Sequence, residues 1–303
     1  MTETPVLEFT GERFTPECVR EIWYEHMHRY AFAARLAAGR RVLDAACGEG
    51  YGTALIGRAA ASVVGLDIDA GTMAHAQRRY SGNFVRGSVS RLPFASGSFD
   101  LITSFETIEH LAAQQEMLAE FRRVLAADGL LLISSPDKAQ YSDATGYRNP
   151  DHVRELYRHE FIALLEEQFS HLRLYGQRLQ FHSLISAEEA AAEGACHVVC
   201  MNQEQQLHAG TGQPALYWIA ACSNHPAAVQ RLHCDYALFA DTGQSIFEHY
   251  NYAVRRYLQN EQLLRQRDAR IAELEQIPAW IGKAAAVLRT LWRRLVHRGK
   301  EPG

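Results

Sequence analysis

The most constraining feature of this sequence is an apolar run that leads directly into a glycine-rich turn. Residues 42–53, VLDAACGEGYGT, have the pattern of a strand, then a turn with three glycines, then the first turn of a helix. In open α/β sheets a nucleotide lies at such a turn, because glycine lets the backbone approach a ligand closely. The chain is therefore expected to be an α/β protein with a ligand at this turn.

Strand and helix patterns alternate along most of the remaining chain. Apolar segments predict strands at 40–47, 62–69, 83–88, 99–106, 130–135, 171–179 and 215–223. Strands separated by helices of this length indicate a parallel sheet that is covered on both faces. We expect an α/β, Rossmann-like sheet of seven mostly parallel strands. A helix that begins at Asn149-Pro150 is predicted to carry both His152 and His159.

The flanking segments predict an organisation in three parts. Residues 1–40 form an N-terminal helical cap whose helix begins at Thr15-Pro16, and residues 41–240 form the main domain, with a polar excursion at 183–214. Residues 241–303 form a C-terminal helical extension, first a polar helix with weak coiled-coil spacing and then a basic amphipathic helix. That last helix either attaches to an anionic membrane surface or a partner protein, or packs on its own domain or a second copy.

Composition narrows the classes of partner. The 303 residues include 47% hydrophobic and 22% charged residues, which is ordinary for a globular chain. With a net charge of −4 and basic residues concentrated only in the last helix, nucleic acid is not an expected partner. Scattered cysteines and the lack of a secretory pattern or spanning apolar run predict a cytoplasmic protein, peripheral to a membrane if the last helix binds one.

Charge at the glycine-rich turn discriminates between ligands. A dinucleotide fingerprint has Gly or Ala at the position of Thr53, and its turn receives a pyrophosphate. Here Asp44 and Glu49 would repel phosphate and would suit an ammonium or sulfonium. Asp67 ends the next strand, about 20 residues on, where an acid accepts both hydroxyls of a ribose. These residues favour S-adenosylmethionine over NAD and argue against a nicotinamide-dependent oxidoreductase.

With these motifs, residues 41–136 resemble class I S-adenosylmethionine-dependent methyltransferases. The matching patterns are D-x-x-C-G-x-G-x-G, V-x-G-x-D-I-D, R-L-P-F before S-F-D-L-I, and R-V-L-x-x-x-G-L-L-L. The resemblance implies that the methionine part of S-adenosylmethionine lies along the glycines, that an acid holds the ribose, and that neighbouring residues contact the adenine and the methionyl end. In this sequence the implied residues are Gly48, Gly50, Asp67, Ile68, Ser88, Val89 and Phe105.

The segment after the fourth strand carries the residues expected to act on the acceptor. Glu106, Glu109 and His110 form E-x-x-E-H, which is similar to the motif of ubiquinone-biosynthesis O-methyltransferases and small-RNA 2′-O-methyltransferases. That resemblance implies a divalent metal such as Mg²⁺, with His152 or His159 as a further ligand. The alternatives are that His110 is a general base without a metal, or that these residues only shape the pocket.

Two polar and aromatic blocks are expected to wall the acceptor site. Residues 11–14 and 25–30 precede the first strand, and residues 137–158 follow the fifth. They resemble bacterial methyltransferases associated with glycan or surface-polysaccharide synthesis. The predicted function is O-methylation of a sugar, glycan or other small hydroxylated acceptor. The alternatives are N- or C-methylation of another metabolite, or a scaffold role in a biosynthetic assembly, and a homo-oligomer is compatible with all of them.

Overall fold

The computed structural model describes residues 14–17, 21–189, 198–232, 234–275 and 279–298. The chain divides into two compact units, residues 1–242 and residues 243–303. The first unit contains the sheet and its covering helices. Within its described residues, the second contains two helices.

Strands and helices alternate through the first unit, as the sequence predicts. The strands are β1 (Arg41–Ala45), β2 (Ser62–Asp67), β3 (Asn83–Arg86), β4 (Phe99–Ser104), β5 (Leu125–Pro136), β6 (His171–Gln177), β7 (Val199–Met201), β8 (Leu207–Ala209) and β9 (Tyr217–Ser223). The helices are α1 (Glu21–Leu36), α2 (Tyr51–Ile56), α3 (Ala70–Arg79), α4 (Gln114–Val124), α5 (Arg158–Glu166) and α6 (Pro226–Gln230).

Seven of these strands form one sheet in the order β3-β2-β1-β4-β5-β9-β6. Neighbouring strands are parallel except at β9, which runs antiparallel to both β5 and β6. The predicted Rossmann-like sheet is confirmed. Because the strand order reverses between β1 and β4, their carboxyl ends border a crevice, which is where ligands bind in such sheets. Strands β7 and β8 pair separately within the predicted excursion.

The sheet is buried on both faces, and β5 shows this residue by residue. Leu131 and Ile133 pack in one hydrophobic cluster with Phe121 of α4. Leu130 and Leu132 point the other way, into a cluster that includes residues of α1. Successive strand residues face opposite sides, so a continuous apolar run is what a doubly covered strand requires.

Two glycines of the turn after β1 have backbone conformations that favour glycine. Gly48 has φ 55° and Gly50 has φ 95°. A Cβ on Gly50 would lie 2.6 Å from the Phe84 ring, whereas a Cβ on Gly48 would meet nothing within 4 Å. The turn is therefore closed against β3 at Gly50 and open at Gly48, where a ligand can approach the backbone.

The predicted helix at Asn149-Pro150 is wrong in its starting point. The chain has turns and irregular backbone until α5 begins at Arg158. The backbone amides of Val153 and Arg154 both donate to the carbonyl of Glu109, at 2.8 and 2.9 Å. These two amides thus form tertiary hydrogen bonds instead of the hydrogen bonds that they would form within a helix. His152 consequently lies in the segment before α5 instead of sharing a helix with His159.

Two other boundaries also differ from the predictions. The first helix is described from Glu21, and Thr15-Pro16, where it is predicted to begin, lie in irregular backbone and a turn. Strand β5 begins at Leu125, five residues earlier than predicted, because Leu125 already pairs with Phe99 of β4. Neither difference moves the carboxyl ends of the strands, which carry the candidate site.

The second unit consists of α7 (Ser245–Glu275) and α8 (Ala279–Arg298). Both lie where the sequence predicts a polar helix followed by a basic amphipathic one. The predicted break at Pro278 lies outside the described residues. Among the helices that the structure describes, none has the length and apolar character needed to cross a membrane.

Candidate active site

Asp67 connects the end of β2 to the glycine-rich turn. Its Oδ2 accepts a hydrogen bond from the Gly48 amide at 3.0 Å, and its Oδ1 accepts one from the Asp69 amide at 3.0 Å. The side chain of the next residue, Ile68, is 67% exposed. A carboxylate held at a fixed position and an apolar side chain beside it are what a nucleoside site needs.

The other residues expected near adenine and the methionyl group lie at the same edge of the sheet. The Ser88 hydroxyl accepts a hydrogen bond from the Ser90 amide at 3.2 Å. The side chains of Val89 and Phe105 are buried in the hydrophobic core, so a ligand contact would use their backbone atoms. Phe105 packs edge-on against Tyr30 of α1, with ring centroids 5.1 Å apart.

Asp44, in β1 just before the turn, is an acid that no basic side chain neutralises among the described residues. The residue is fully buried. Its carboxylate accepts hydrogen bonds from Thr53 Oγ1 at 2.6 Å, Thr103 Oγ1 at 2.8 Å and Tyr30 OH at 3.2 Å. The pKa of Asp44 is raised to about 6, mainly by burial and to a smaller extent by the nearby charge of Asp67, although the three hydrogen bonds lower it. A cationic ligand would relieve this cost, because only hydroxyl groups donate to the carboxylate in the described structure.

Glu49 differs from Asp44, although the sequence analysis pairs them. Its buried carboxylate is bonded to His75 Nε2 at 2.9 Å, Tyr80 OH at 2.6 Å and Arg79 Nη1 at 3.2 Å. Glu49 therefore connects the turn to α3, and Arg79 offsets its charge. Asp44 remains as the acid whose charge a cationic ligand would meet.

Two non-glycine residues with left-handed backbone lie on either side of the crevice. Ala46 follows β1 with φ 60°, and Glu106 follows β4 with φ 51°. Such conformations cost of order 1 to 3 kcal/mol and concentrate at ligand sites. Both occur where the strand order reverses.

Glu109, His110 and His152 come together beside the end of β4. One ligand-capable atom from each lies within 4.8 Å of the other two. The His110 and His152 rings meet edge to face, with centroids 4.9 Å apart, and His110 Nε2 lies 3.9 Å from Glu109 Oε1. We refer to these three residues as the Glu109–His110–His152 cluster.

Both imidazoles of the cluster are oriented through Nδ1. His110 Nδ1 lies 3.0 Å from the carbonyl oxygen of Asp151, and His152 Nδ1 lies 2.6 Å from Glu155 Oε1. Because both partners are acceptors, the neutral form of each ring has its proton on Nδ1 and its lone pair on Nε2. Tyr141 stacks on His152 with centroids 5.4 Å apart. This arrangement serves either proton transfer or metal ligation.

Glu106 lies in a different set of contacts. Its Oε1 accepts a hydrogen bond from Ser134 Oγ at 2.5 Å and lies 3.8 Å from Arg29 Nη1, whose side chain is completely buried. His159, the alternative fourth ligand, is exposed on α5 and stacks on Tyr157. The structure thus brings together Glu109, His110 and His152 from the predicted metal set.

Arg29 connects α1 to the ends of β6 and β9. Its Nη1 donates to Gln177 Oε1 at 2.7 Å, and its guanidinium lies 4.9 Å from the Tyr217 ring centroid. Tyr217 OH donates to the Glu25 carboxylate at 3.1 Å. Burial raises the pKa of Glu25 to about 7, although Arg29 opposes the shift. The predicted wall at residues 25–30 thus packs beside Glu106.

Ser134, Gln177 and Tyr217 also lie in this region, although no sequence motif predicts a role for them. Ser134 lies within β5, Gln177 ends β6, and Tyr217 begins β9. Because β9 is antiparallel, its first residue lies at the same edge as the last residues of the parallel strands. The sequence offers no separate signal for the direction of β9.

Residues 43–133 match the family model described as a methyltransferase domain. The match covers β1 to β5, together with the glycine-rich turn, Asp67 and the segment after β4. The chain therefore contains a segment that is similar to a methyltransferase domain.

Relatives with curated names include other methyltransferases. A probable S-adenosylmethionine-dependent methyltransferase of Mycolicibacterium smegmatis is 40% identical over 164 residues, which are 53% of this chain and 64% of that protein. Phthiotriol/phenolphthiotriol dimycocerosates methyltransferase 1 of Mycobacterium ulcerans is 37% identical over 110 residues, 35% of this chain and 40% of that protein. The chain thus spans less than two thirds of each relative.

Solved structures include the YcgJ protein of Bacillus subtilis, with a TM-score of 0.47 and 20% identity. That alignment covers 66% of this chain and all of the YcgJ chain.

Proposed function

We propose that this domain transfers the methyl group of S-adenosylmethionine to an oxygen atom of a small hydroxylated acceptor, with sugars and glycans as the first class. The observation that carries the proposal is the Glu109–His110–His152 cluster beside the end of β4. It offers two oriented imidazoles and a buried carboxylate, the groups that deprotonate or polarise a hydroxyl.

The cofactor is proposed to lie across the carboxyl ends of β1, β2 and β4. Asp67 would accept the ribose hydroxyls, Ile68 would pack against adenine, and the segment at Ser88 and Val89 would meet the adenine edge. The open backbone at Gly48 supports this placement, since nothing lies within 4 Å of the position of a Cβ there.

The methionyl part of the cofactor is proposed to follow the glycine-rich turn towards β4. It would pass the backbone of Gly48 and Gly50 and then that of Phe105. Asp44 supports this direction because its negative charge would face the ammonium or sulfonium. Glu49 would contribute by holding the turn against α3.

Methyl transfer to oxygen is an in-line displacement with one proton to remove. The acceptor oxygen forms a bond to the methyl carbon, the bond between that carbon and sulfur breaks, and the electron pair stays on sulfur. In the metal-free form of the proposal, the hydroxyl proton goes to Nε2 of His110, while Nδ1 stays bonded to the carbonyl of Asp151. Glu109 would stabilise the imidazolium, because its Oε1 lies 3.9 Å away.

The same cluster fits a divalent cation. Glu109, His110 and His152 would hold it, and the oxygen partners on both Nδ1 atoms are those found behind metal-bound histidines. A bound cation would supply a Lewis acid that lowers the pKa of an acceptor hydroxyl. Glu106, held by Ser134 near Arg29, would instead position the segment after β4.

The acceptor class can be tested by mass spectrometry with S-adenosylmethionine that carries a deuterated methyl group. We expect label on the oxygen of a sugar or glycan fragment. A hydroxylated lipid is the second acceptor to test, because the name of the M. ulcerans relative refers to a triol. Label on nitrogen or carbon would contradict the proposal. Cofactor binding without transfer to any acceptor would favour the scaffold alternative.

The role of the cluster can be tested with Mn²⁺ in the presence of S-adenosylhomocysteine. A metal site predicts saturable binding that is lost in Glu109→Gln, His110→Ala and His152→Ala and retained in Glu106→Gln and His159→Ala. If wild-type protein binds no Mn²⁺ and transfer persists in a chelator, His110 acts as the base.

A further inference from the structure

The helix α8 has a charge composition unlike that of its neighbour in the second unit. It carries five Lys and Arg residues and no Asp or Glu, in a chain whose net charge is −4. By contrast, α7 carries five basic and five acidic residues. Positive charge is therefore concentrated on one helix of about 30 Å.

The large apolar side chains that the structure describes on α8 lie on one face. At 100° per residue, these described side chains fall within an arc of about 140°. They are between 40% and 69% exposed, and they are Trp280, Ile281, Val287, Leu288, Leu291 and Trp292.

The basic side chains of α8 flank this apolar face on both sides. Around the helix axis, the apolar face extends from Val287 at one edge to Trp292 at the other. Lys283 and Arg294 lie outside the edge at Val287, and Arg289 and Arg293 lie outside the edge at Trp292. Two tryptophans contribute to the apolar face, and Trp prefers the level of lipid headgroups. This distribution is the one expected of a helix lying in the plane of a membrane surface.

Charge distinguishes a membrane surface from a second copy of α8 as the occupant of this face. If a second copy of α8 covered it, in either orientation, only positive side chains would meet along its borders, which is unfavourable. Anionic phospholipid headgroups would instead pair with them. We propose that α8 attaches the protein to the surface of an anionic phospholipid bilayer, with its apolar face among the acyl-chain ends and its basic residues at the headgroups. This attachment is independent of methyl transfer.

Vesicle flotation of the full chain tests this proposal. We expect the protein to float with vesicles that contain phosphatidylglycerol and not with pure phosphatidylcholine vesicles. Because each basic residue near an anionic surface strengthens partitioning about fivefold, Arg293→Gln/Arg294→Gln should weaken it about thirtyfold. The matched control is Arg255→Gln/Arg256→Gln, an adjacent exposed pair on α7, which should leave partitioning unchanged.

Substitution of the apolar face separates lipid from protein as the occupant. Leu288→Ser/Leu291→Ser should abolish flotation, with circular dichroism confirming that helix content is kept. Equal binding to both kinds of vesicle, or loss of binding in the α7 control, would overturn the proposal. Failure of the wild-type protein to bind either kind of vesicle would also overturn the proposal. If the wild-type protein then sediments as a dimer, and Leu288→Ser/Leu291→Ser dissociates that dimer, a second copy covers the face.

Discussion

The charge of Asp44 leads to a prediction about cofactor binding that can be worked out from the structure. Asp44 is buried among three hydroxyl donors, and burial raises its pKa to about 6. If the carboxylate faces the cationic part of S-adenosylmethionine, the ligand binds better to the ionised form. Binding should therefore tighten as pH rises through about 6 and weaken as pH falls below it.

The expected magnitude follows from the ionised fraction of Asp44. With a pKa of about 6, roughly one tenth of the carboxylate is ionised at pH 5 and roughly nine tenths at pH 7. The dissociation constant should thus be about tenfold larger at pH 5 than at pH 7. The ammonium of the ligand, with an ordinary pKa of about 7.7 to 8.0, stays charged across this range.

Isothermal titration calorimetry at several pH values measures this dependence. Asp44→Asn should bind weakly at every pH and lose the tenfold change, while its carboxamide keeps part of the contacts to Thr53 and Thr103. Glu49→Gln is the matched control, because Arg79 already offsets the charge of Glu49, and it should keep the change. An affinity independent of pH in the wild type, or an unaltered slope in Asp44→Asn, would refute the reasoning.

Three further predictions concern ligand affinity and stability. Asp67→Ala should weaken S-adenosylhomocysteine binding about a hundredfold, because two charge-assisted hydrogen bonds of roughly 1.5 kcal/mol each are lost. If calorimetry gives an unchanged dissociation constant, Asp67 does not contact the ligand. Glu25 has a folded pKa of about 7, above its ordinary 4.5, so its contribution to stability is complete below pH 4.5 and is lost as pH rises through 7. In the wild type, Glu25 should thus lower the free energy of unfolding by roughly 3 kcal/mol between pH 4.5 and pH 7, and Glu25→Gln should lack this decrease. Chemical unfolding at several pH values measures it, and the same pH profile in both proteins would contradict the raised pKa. Gly52→Ala would put a Cβ 2.1 Å from the Tyr30 ring and should lower the melting temperature, whereas Gly71→Ala, with a nearest contact of 3.4 Å, should not.

The sheet could be predicted from the sequence because its signals are local. Each strand is an apolar run bounded by polar turns, and the turn at Gly48 and Gly50 shows the position of the crevice. The start of α5 could not be predicted in the same way. The amides of Val153 and Arg154 donate to a carbonyl about 45 residues earlier in the chain, and no local pattern reports such a bond.

The candidate site could be predicted in part for the same reason. His110 and Glu109 follow a recognisable strand, so their place at the sheet edge is a local inference. The separation of Glu106 from them depends on its bond to Ser134 and on the buried Arg29, which come from other elements. Likewise, Glu49 differs from Asp44 through residues of α3 and the adjacent Tyr80, and the sequence of the turn alone does not show these contacts.

The most direct test of the central claim measures the rate of methyl transfer at the cluster. Single-turnover transfer to the accepted hydroxylated compound should be slowed at least a hundredfold in His110→Ala, with S-adenosylhomocysteine affinity unchanged, since base or ligand is lost and the cofactor contacts remain. His159→Ala, an exposed histidine on α5, should transfer at the wild-type rate. Full activity in His110→Ala would contradict the account and would place the chemistry elsewhere along the crevice.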